Sequence, residues 1–236
     1  MEESMKIKIC GIRTAKEAGY IIEAKADYAG CVFYEQSKRN VTFESAKEVL
    51  KALEPGIKKV AVTVSPDPEL VYKIEELGFD ILQVHKSLSE EVLTKTKIPI
   101  WYACNISTLT EIEKTAEYLA GFPKELTDKI EGIVADAANY GSGKTFDWKI
   151  SDILGYRKSR RMLKARAQSP PDDSVQRLLQ NRLFILAGGL NPDNVTKGIE
   201  LFSPDAVDVS SGVEDESGKS RDRIFEFVNE VRKADI

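Results

Sequence analysis

Two hydrophobic rhythms take turns along this chain. Short β-branched runs, apolar at every second position, fall near 6–10, 29–34, 59–64, 80–84, 98–103, 131–136, 183–187 and 205–210 and read as strands. Apolar residues at helical spacing recur near 14–25, 42–53, 67–77, 88–95, 108–120, 148–165, 192–201 and 221–233. Thr42 before Phe43-Glu44-Ser45, and Asp67 between Pro66 and Pro68, mark helix starts, where a side-chain oxygen can accept from the unpaired first amides. Eight strand-then-helix units in 236 residues predict a closed (β/α)8 barrel, a single α/β domain over 1–236. An open doubly wound sheet is the runner-up, but it usually has fewer strands in one domain.

Most steps between strands run roughly 20 to 33 residues, the length of one barrel unit. Between the strands near 131–136 and 183–187 the chain spends about fifty. The expanded segment, around 157–180, has six basic residues among the ten from Arg157 to Arg166, followed by a turn-like Ser169-Pro170-Pro171-Asp172-Asp173. Such a charge run is expected to solvate a helix extension and a surface loop, at the barrel end opposite the site.

Composition changes the picture mainly by exclusion. With 42% hydrophobic residues, 31% charged and a net charge of −4, the chain has no general pull towards nucleic acid or membrane. No apolar run is long enough to span a bilayer, and Met1-Glu2-Glu3-Ser4 lacks the basic and apolar regions of a signal peptide, so a cytoplasmic protein is expected. Cys10, Cys31 and Cys104, scattered and odd in number, argue for a reducing compartment and against a disulfide framework or zinc cluster. Cys31 and Cys104 read as core or rim thiols, Cys104 being the more accessible. His85 is the only histidine, which removes Ser-His-Asp hydrolysis and multi-histidine metal sites unless His85 alone carries them. Proton transfer is left to Cys, Asp, Glu or Lys.

Candidate chemistry concentrates at the predicted strand ends. Lys8-Ile9-Cys10-Gly11-Ile12 closes the first strand, where a barrel enzyme places its reactive groups. By alternation Ile7 and Ile9 share one face while Lys6, Lys8 and Cys10 share the other, so that face looks into something other than an oily core. An inward Lys8 needs a counter-charge, and either Asp208 on the neighbouring last strand or the site's own acids are expected to supply it. Gly188, Gly189, Ser210, Ser211 and Gly212 follow the last two strands, where glycine-flanked turns can aim backbone amides at a phosphate. Gly141-Ser142-Gly143-Lys144-Thr145 is not a P-loop, because that pattern needs glycine where Ala138 stands.

As an ordered set, these segments resemble one family. The set comprises Lys8 to Ile12, Val32-Phe33-Tyr34 with Ser37-Lys38-Arg39, and Val134-Ala135-Asp136 with Gly141 to Trp148. It ends with Leu186 to Val195 and Val207 to Glu214. Together they look like N-(5'-phosphoribosyl)anthranilate isomerase of tryptophan biosynthesis, over nearly the whole chain. The resemblance implies an Amadori rearrangement of a small phosphorylated substrate, without cofactor or metal, by a monomer or homodimer. It implies Cys10 as general base, Asp136 as general acid, Arg39 on the substrate carboxylate, and His85 and Asp208 in the substrate pocket. The run Gln83-Val84-His85-Lys86 departs from the family's usual Gln-x-His-Gly, and lysine there removes backbone freedom and adds charge at the rim. Alternative readings are another phosphosugar barrel, such as indole-glycerol-phosphate synthase or ribulose-phosphate epimerase, and a non-catalytic paralogue that binds a phosphorylated ligand.

Overall fold

A computed structural model of the chain describes residues 4–105, 109–136, 178–179 and 181–234. Its first half runs β1 (Lys6–Cys10), α1 (Ala15–Ala24), β2 (Tyr28–Phe33), α2 (Phe43–Ala52), β3 (Lys58–Val64), α3 (Pro68–Leu77), β4 (Ile81–His85) and α4 (Glu90–Lys95). There follow β5 (Ile100–Asn105), α5 (Leu109–Ala120), the short α6 (Lys124–Thr127), β6 (Ile130–Asp136), β7 (Leu183–Leu186), α7 (Val195–Phe202) and β8 (Ala206–Val209). A small antiparallel hairpin of β9 (Glu214–Asp215) and β10 (Gly218–Lys219) then leads to α8 (Arg221–Ala234). Strands β1 to β8 pair in chain order, all parallel, and β8 closes back on β1. The (β/α)8 barrel expected from the alternation is the fold. The helix expected near 148–165 lies outside the described residues, as does nearly all of the segment around 157–180. Leu178 and Leu179, at the end of that segment, are buried and so belong to the core rather than to a surface loop.

Local chemistry explains the repeating units. Thr14, Thr42, Asp67 and Ser89 cap α1 to α4, each side-chain oxygen accepting from the amide three residues on. At the opposite end of the barrel, Asp27, Asp80 and Asp205 stand just before β2, β4 and β8. Each carboxylate accepts from an amide of the strand before, Ile7, Lys59 and Phe184, at 2.9, 2.8 and 2.7 Å. Three strand pairs are thereby clamped at the face that carries stability.

Period-two alternation divides the strand residues between two cores. Ile7, Ile9, Leu82, Val84, Ile133, Leu186 and Val207 face outward into the layer beneath the helices. Cys10, Val60, Val62, Ile81, Trp101, Ala103, Val134, Ile185 and Ala206 fill the barrel interior. The Trp101 indole crosses the lower interior against Tyr28, their ring centroids 4.9 Å apart. Gly132 makes room for it, since a Cβ there would lie 2.6 Å from Trp101 Cδ1 and 2.9 Å from Ile185 Cδ1. β2 and β4 each shift by one residue from their sequence-based positions, and β5 by two: it starts after Pro99, which has no amide to give a ladder, and runs to Asn105. Cys104 therefore points outward and is buried, not accessible at the rim.

Gly132→Ala should lower stability by about 1–3 kcal/mol through overpacking against Trp101. A denaturant midpoint equal to that of the parent would show that the indole has another place to go.

Candidate active site

The seam between first and last strands supplies the charged floor of the site. Register pairs Lys8 with Asp208, and the Lys8 ammonium donates to Asp208 Oδ2 at 2.6 Å with the lysine fully buried. The second carboxylate oxygen, Oδ1, is buried and has no hydrogen-bond partner among the described residues. Burial pulls the Lys8 ammonium down, but Asp208 and then Cys10 outweigh it and hold the lysine above its ordinary pKa. Cys10, two residues along the same face, is buried too. Burial pushes its thiol up, and Lys8, in charge and hydrogen-bond reach of the sulfur, opposes that push without cancelling it. Space for both side chains comes from Gly30 on β2, where a Cβ would lie 3.1 Å from Cys10 Sγ and 3.2 Å from Lys8 Cε.

His85 ends β4 with its Nδ1 buried, and the Gln83 amide lies 3.0 Å from Nε2. Nε2 accepts from that amide in the tautomer that carries its proton on Nδ1. Desolvation first, then the Lys8 charge, lowers its pKa to about 4. The next residue keeps a glycine's conformation without the glycine: Lys86 has φ +64°, and its carbonyl is held by the Tyr102 hydroxyl at 2.6 Å. A lysine in that left-handed region costs about 1 kcal/mol or more, and the tyrosine helps to offset it.

Arg39 is buried at the rim and already engaged. Its Nε and Nη2 donate to the two carboxylate oxygens of Glu214 at 2.5 and 2.8 Å. The same carboxylate accepts from Lys219 at 2.7 Å and lies 3.4 Å from the Lys38 ammonium. Lys219 also donates to the Ser210 carbonyl at 2.9 Å, and the Ser210 hydroxyl donates to the Cys10 carbonyl at 3.0 Å. Glu214, Lys219 and Gln83 were absent from the sequence-based site. Gln83 and Glu214 lie in runs that carry the family resemblance, but the contacts of Glu214 and Lys219 depend on a hairpin folding back, which no local pattern encodes.

Gly188 and Gly189 follow β7 with φ of +84° and +67°. Asn194 Nδ2 donates to the Gly189 carbonyl at 3.0 Å, while Asn191 and Asn194 bond one another's backbones at the start of α7. Among the described residues nothing accepts from the Gly188 and Gly189 amides. Gly212 presses against this loop so closely that a Cβ would run into the Leu190 carbonyl. The turns after β7 and β8 are thus adjacent, and Ser211 and Gly212 begin a 3-10 turn beside them.

Asp136 ends β6, partly exposed and in phase with the interior residues Gly132 and Val134, so it faces the mouth from three strands away round the barrel from Cys10. The glycine-rich stretch 141–145 that follows in sequence lies outside the described residues. No group of His, Cys, Asp and Glu suited to a metal occurs among the described residues.

A closed parallel barrel with a thiol, carboxylates and glycine turns at the carboxyl ends of its strands defines a (β/α)8-barrel enzyme with its chemistry at that face. The family profile described as N-(5'phosphoribosyl)anthranilate (PRA) isomerase matches residues 7–164 and 172–230, and the chain belongs to that family. The N-(5'-phosphoribosyl)anthranilate isomerase of Streptococcus gordonii is 34% identical over 229 residues, 96% of this chain and 97% of that one. Its counterpart from Streptococcus mutans is 35% identical, covering 97% and 99%. Among solved structures, phosphoribosyl anthranilate isomerase from Thermotoga maritima has a TM-score of 0.75 at 32% identity, over 97% of this chain and 99% of that one. A phosphoribosyl anthranilate isomerase in complex with reduced 1-(o-carboxyphenylamino)-1-deoxyribulose 5-phosphate has a TM-score of 0.73 at 30% identity, with the same coverage.

The lone histidine gives a direct probe of the buried charge. Its ring protons should titrate near pH 4 in an NMR series, and Lys8→Met should move the transition upward by removing the cation. A transition unmoved by Lys8→Met would place the ammonium away from the ring, and titration near the ordinary value of about 6.5 in the parent would show that the ring is not desolvated.

Proposed function

We propose that this isomerase converts N-(5'-phosphoribosyl)anthranilate to 1-(2-carboxyphenylamino)-1-deoxyribulose 5-phosphate with Cys10 as general base and Asp136 as general acid. The observation that carries the assignment is Cys10 at the tip of β1 beside a buried ammonium, with Asp136 at the tip of β6 on the same end of the barrel. Asp136 gives a proton to the ribose ring oxygen as the C1'–O bond breaks, and the anthranilate nitrogen lone pair forms the C1'=N iminium. The Cys10 thiolate then takes the C2' proton, and the electron pair left behind neutralises the iminium to an enolamine. Proton transfer from the C2' hydroxyl to C1' completes the ketone, so no atom is gained or lost. Lys8 stays protonated throughout and favours the thiolate by charge.

The remaining groups hold the substrate. Asp208 Oδ1, buried without a partner among the described residues, accepts from a ribose hydroxyl. Neutral His85 adds a polar wall. Arg39 meets the anthranilate carboxylate with a planar fork. Amides of Gly188, Gly189, Ser211 and Gly212, with the 3-10 turn they lead into, converge on the phosphate, and Ser210 contributes its backbone while its hydroxyl holds Cys10 in place. We place the reaction in the reducing cytoplasm, a reading supported by three free cysteines.

Cys10→Ala and Asp136→Asn should each lower kcat by about 10²–10⁴-fold, the usual weight of a general base or acid. Because burial holds the thiol above its ordinary pKa, kcat/KM of the parent should climb with pH above neutrality, and Cys10→Ala should lose that climb. Turnover close to the parent in either variant removes that residue from its role.

Gly189→Asp brings a carboxylate to the place assigned to the phosphate, and its KM should rise by about 10-fold or more from like-charge repulsion. An unchanged KM in a folded variant would locate the anion elsewhere.

A further inference from the structure

Glu214 binds one edge of the Arg39 guanidinium and leaves the other edge uncommitted. Nε and Nη2 form the bidentate pair with the carboxylate, while Nη1 has no partner among the described residues. The arginine is fixed at both ends. Its stem lies against Gly11, where a Cβ would come 2.5 Å from Arg39 Cδ, and its head is gripped by Glu214. Glu214 is fixed in turn. The β9–β10 hairpin pairs it with Lys219, and the Lys219 amide donates to Glu17 Oε1 on α1 at 3.1 Å.

We infer that Glu214 is a positioning residue for the isomerisation, holding Arg39 so that Nη1 and Nη2 meet the aromatic carboxylate of the substrate. The inference rests on the reading of Arg39 given above. Electrostatics support a permanent clamp rather than a plug that the substrate displaces. Lys38, Arg39 and Lys219 surround a single carboxylate, so the cluster remains positive and still attracts an anion. Leaving would break bonds to Arg39 and Lys219 at once. Protonation does not release Glu214 either: burial raises its pKa, but Arg39 and then Lys219 overcome that and hold it at about 2. The clamp also ties the carboxylate anchor to the base, through Lys219, Ser210 and the Cys10 carbonyl.

The test uses two unreactive probes, the reduced product analogue and its aniline counterpart lacking the ring carboxylate, with dissociation constants measured on the full chain. The parent should prefer the carboxylate probe by about 10-fold or more, the weight of one charge-assisted pair. Glu214→Ala should remove most of that preference while binding the aniline probe within about 2-fold of the parent, an outcome that a general loss of structure would not produce. Glu214→Gln, which keeps the shape and one accepting oxygen, should fall between and carries the test if the alanine variant does not fold. Arg39→Ala should abolish the preference, and adding Glu214→Ala should cost nothing further. Unchanged or increased preference in the Glu214 variants, with loss in Arg39→Ala, overturns the clamp alone. Preference kept in Arg39→Ala overturns the carboxylate role of Arg39, and the clamp with it.

Discussion

The buried ion pair between Lys8 and Asp208 is the constraint around which the mouth of the barrel is arranged. It joins the first strand to the last at the point where the barrel closes. Stability does not explain it, because taking two charges out of water costs several kcal/mol per ion and a well-packed apolar pair often does as well. Its effect is felt by its neighbours. Desolvation first and this fixed cation second keep His85 neutral, and the cation opposes, without cancelling, the burial that holds the Cys10 thiol above its ordinary pKa. Removing Asp208 would leave that cation buried and uncompensated, so the carboxylate is needed for the lysine to remain charged.

Absent side chains matter here as much as present ones. Gly30 leaves the volume occupied by Lys8 and Cys10, Gly11 that occupied by the Arg39 stem, and Gly212 lets the last two βα turns touch. All three sit at or near the catalytic end. Gly132 serves Trp101 lower in the barrel. Lys86 shows the opposite case, a left-handed turn held by a residue that carries a side chain.

Much of this was legible in the chain itself, for one reason: alternation along a strand is a local property, and closure of the barrel makes the first and last strands neighbours. Those two facts suffice to pair Lys8 with Asp208 and to turn Ile7 and Ile9 outward. Strand ends are less legible than strand phase. Cys104, one of two thiols read as core or rim, was expected to be the more accessible, but the strand that was to stop at 103 runs to Asn105 and both thiols are buried. Arg39 and Glu214 are a different matter. They lie 175 residues apart and meet only because Gly218, at φ +127°, turns a hairpin back towards the loop after β2. No periodicity encodes such a meeting.

Trp101, lying against Tyr28, fills the barrel interior among the described residues. Below the ion pair there is packed indole and aliphatic side chain. On the reading of the site proposed above, substrate and product therefore pass through the opening at the carboxyl ends of the strands. The turnover cycle is consequently sequential at that threshold: product has to clear it before the next substrate can cross.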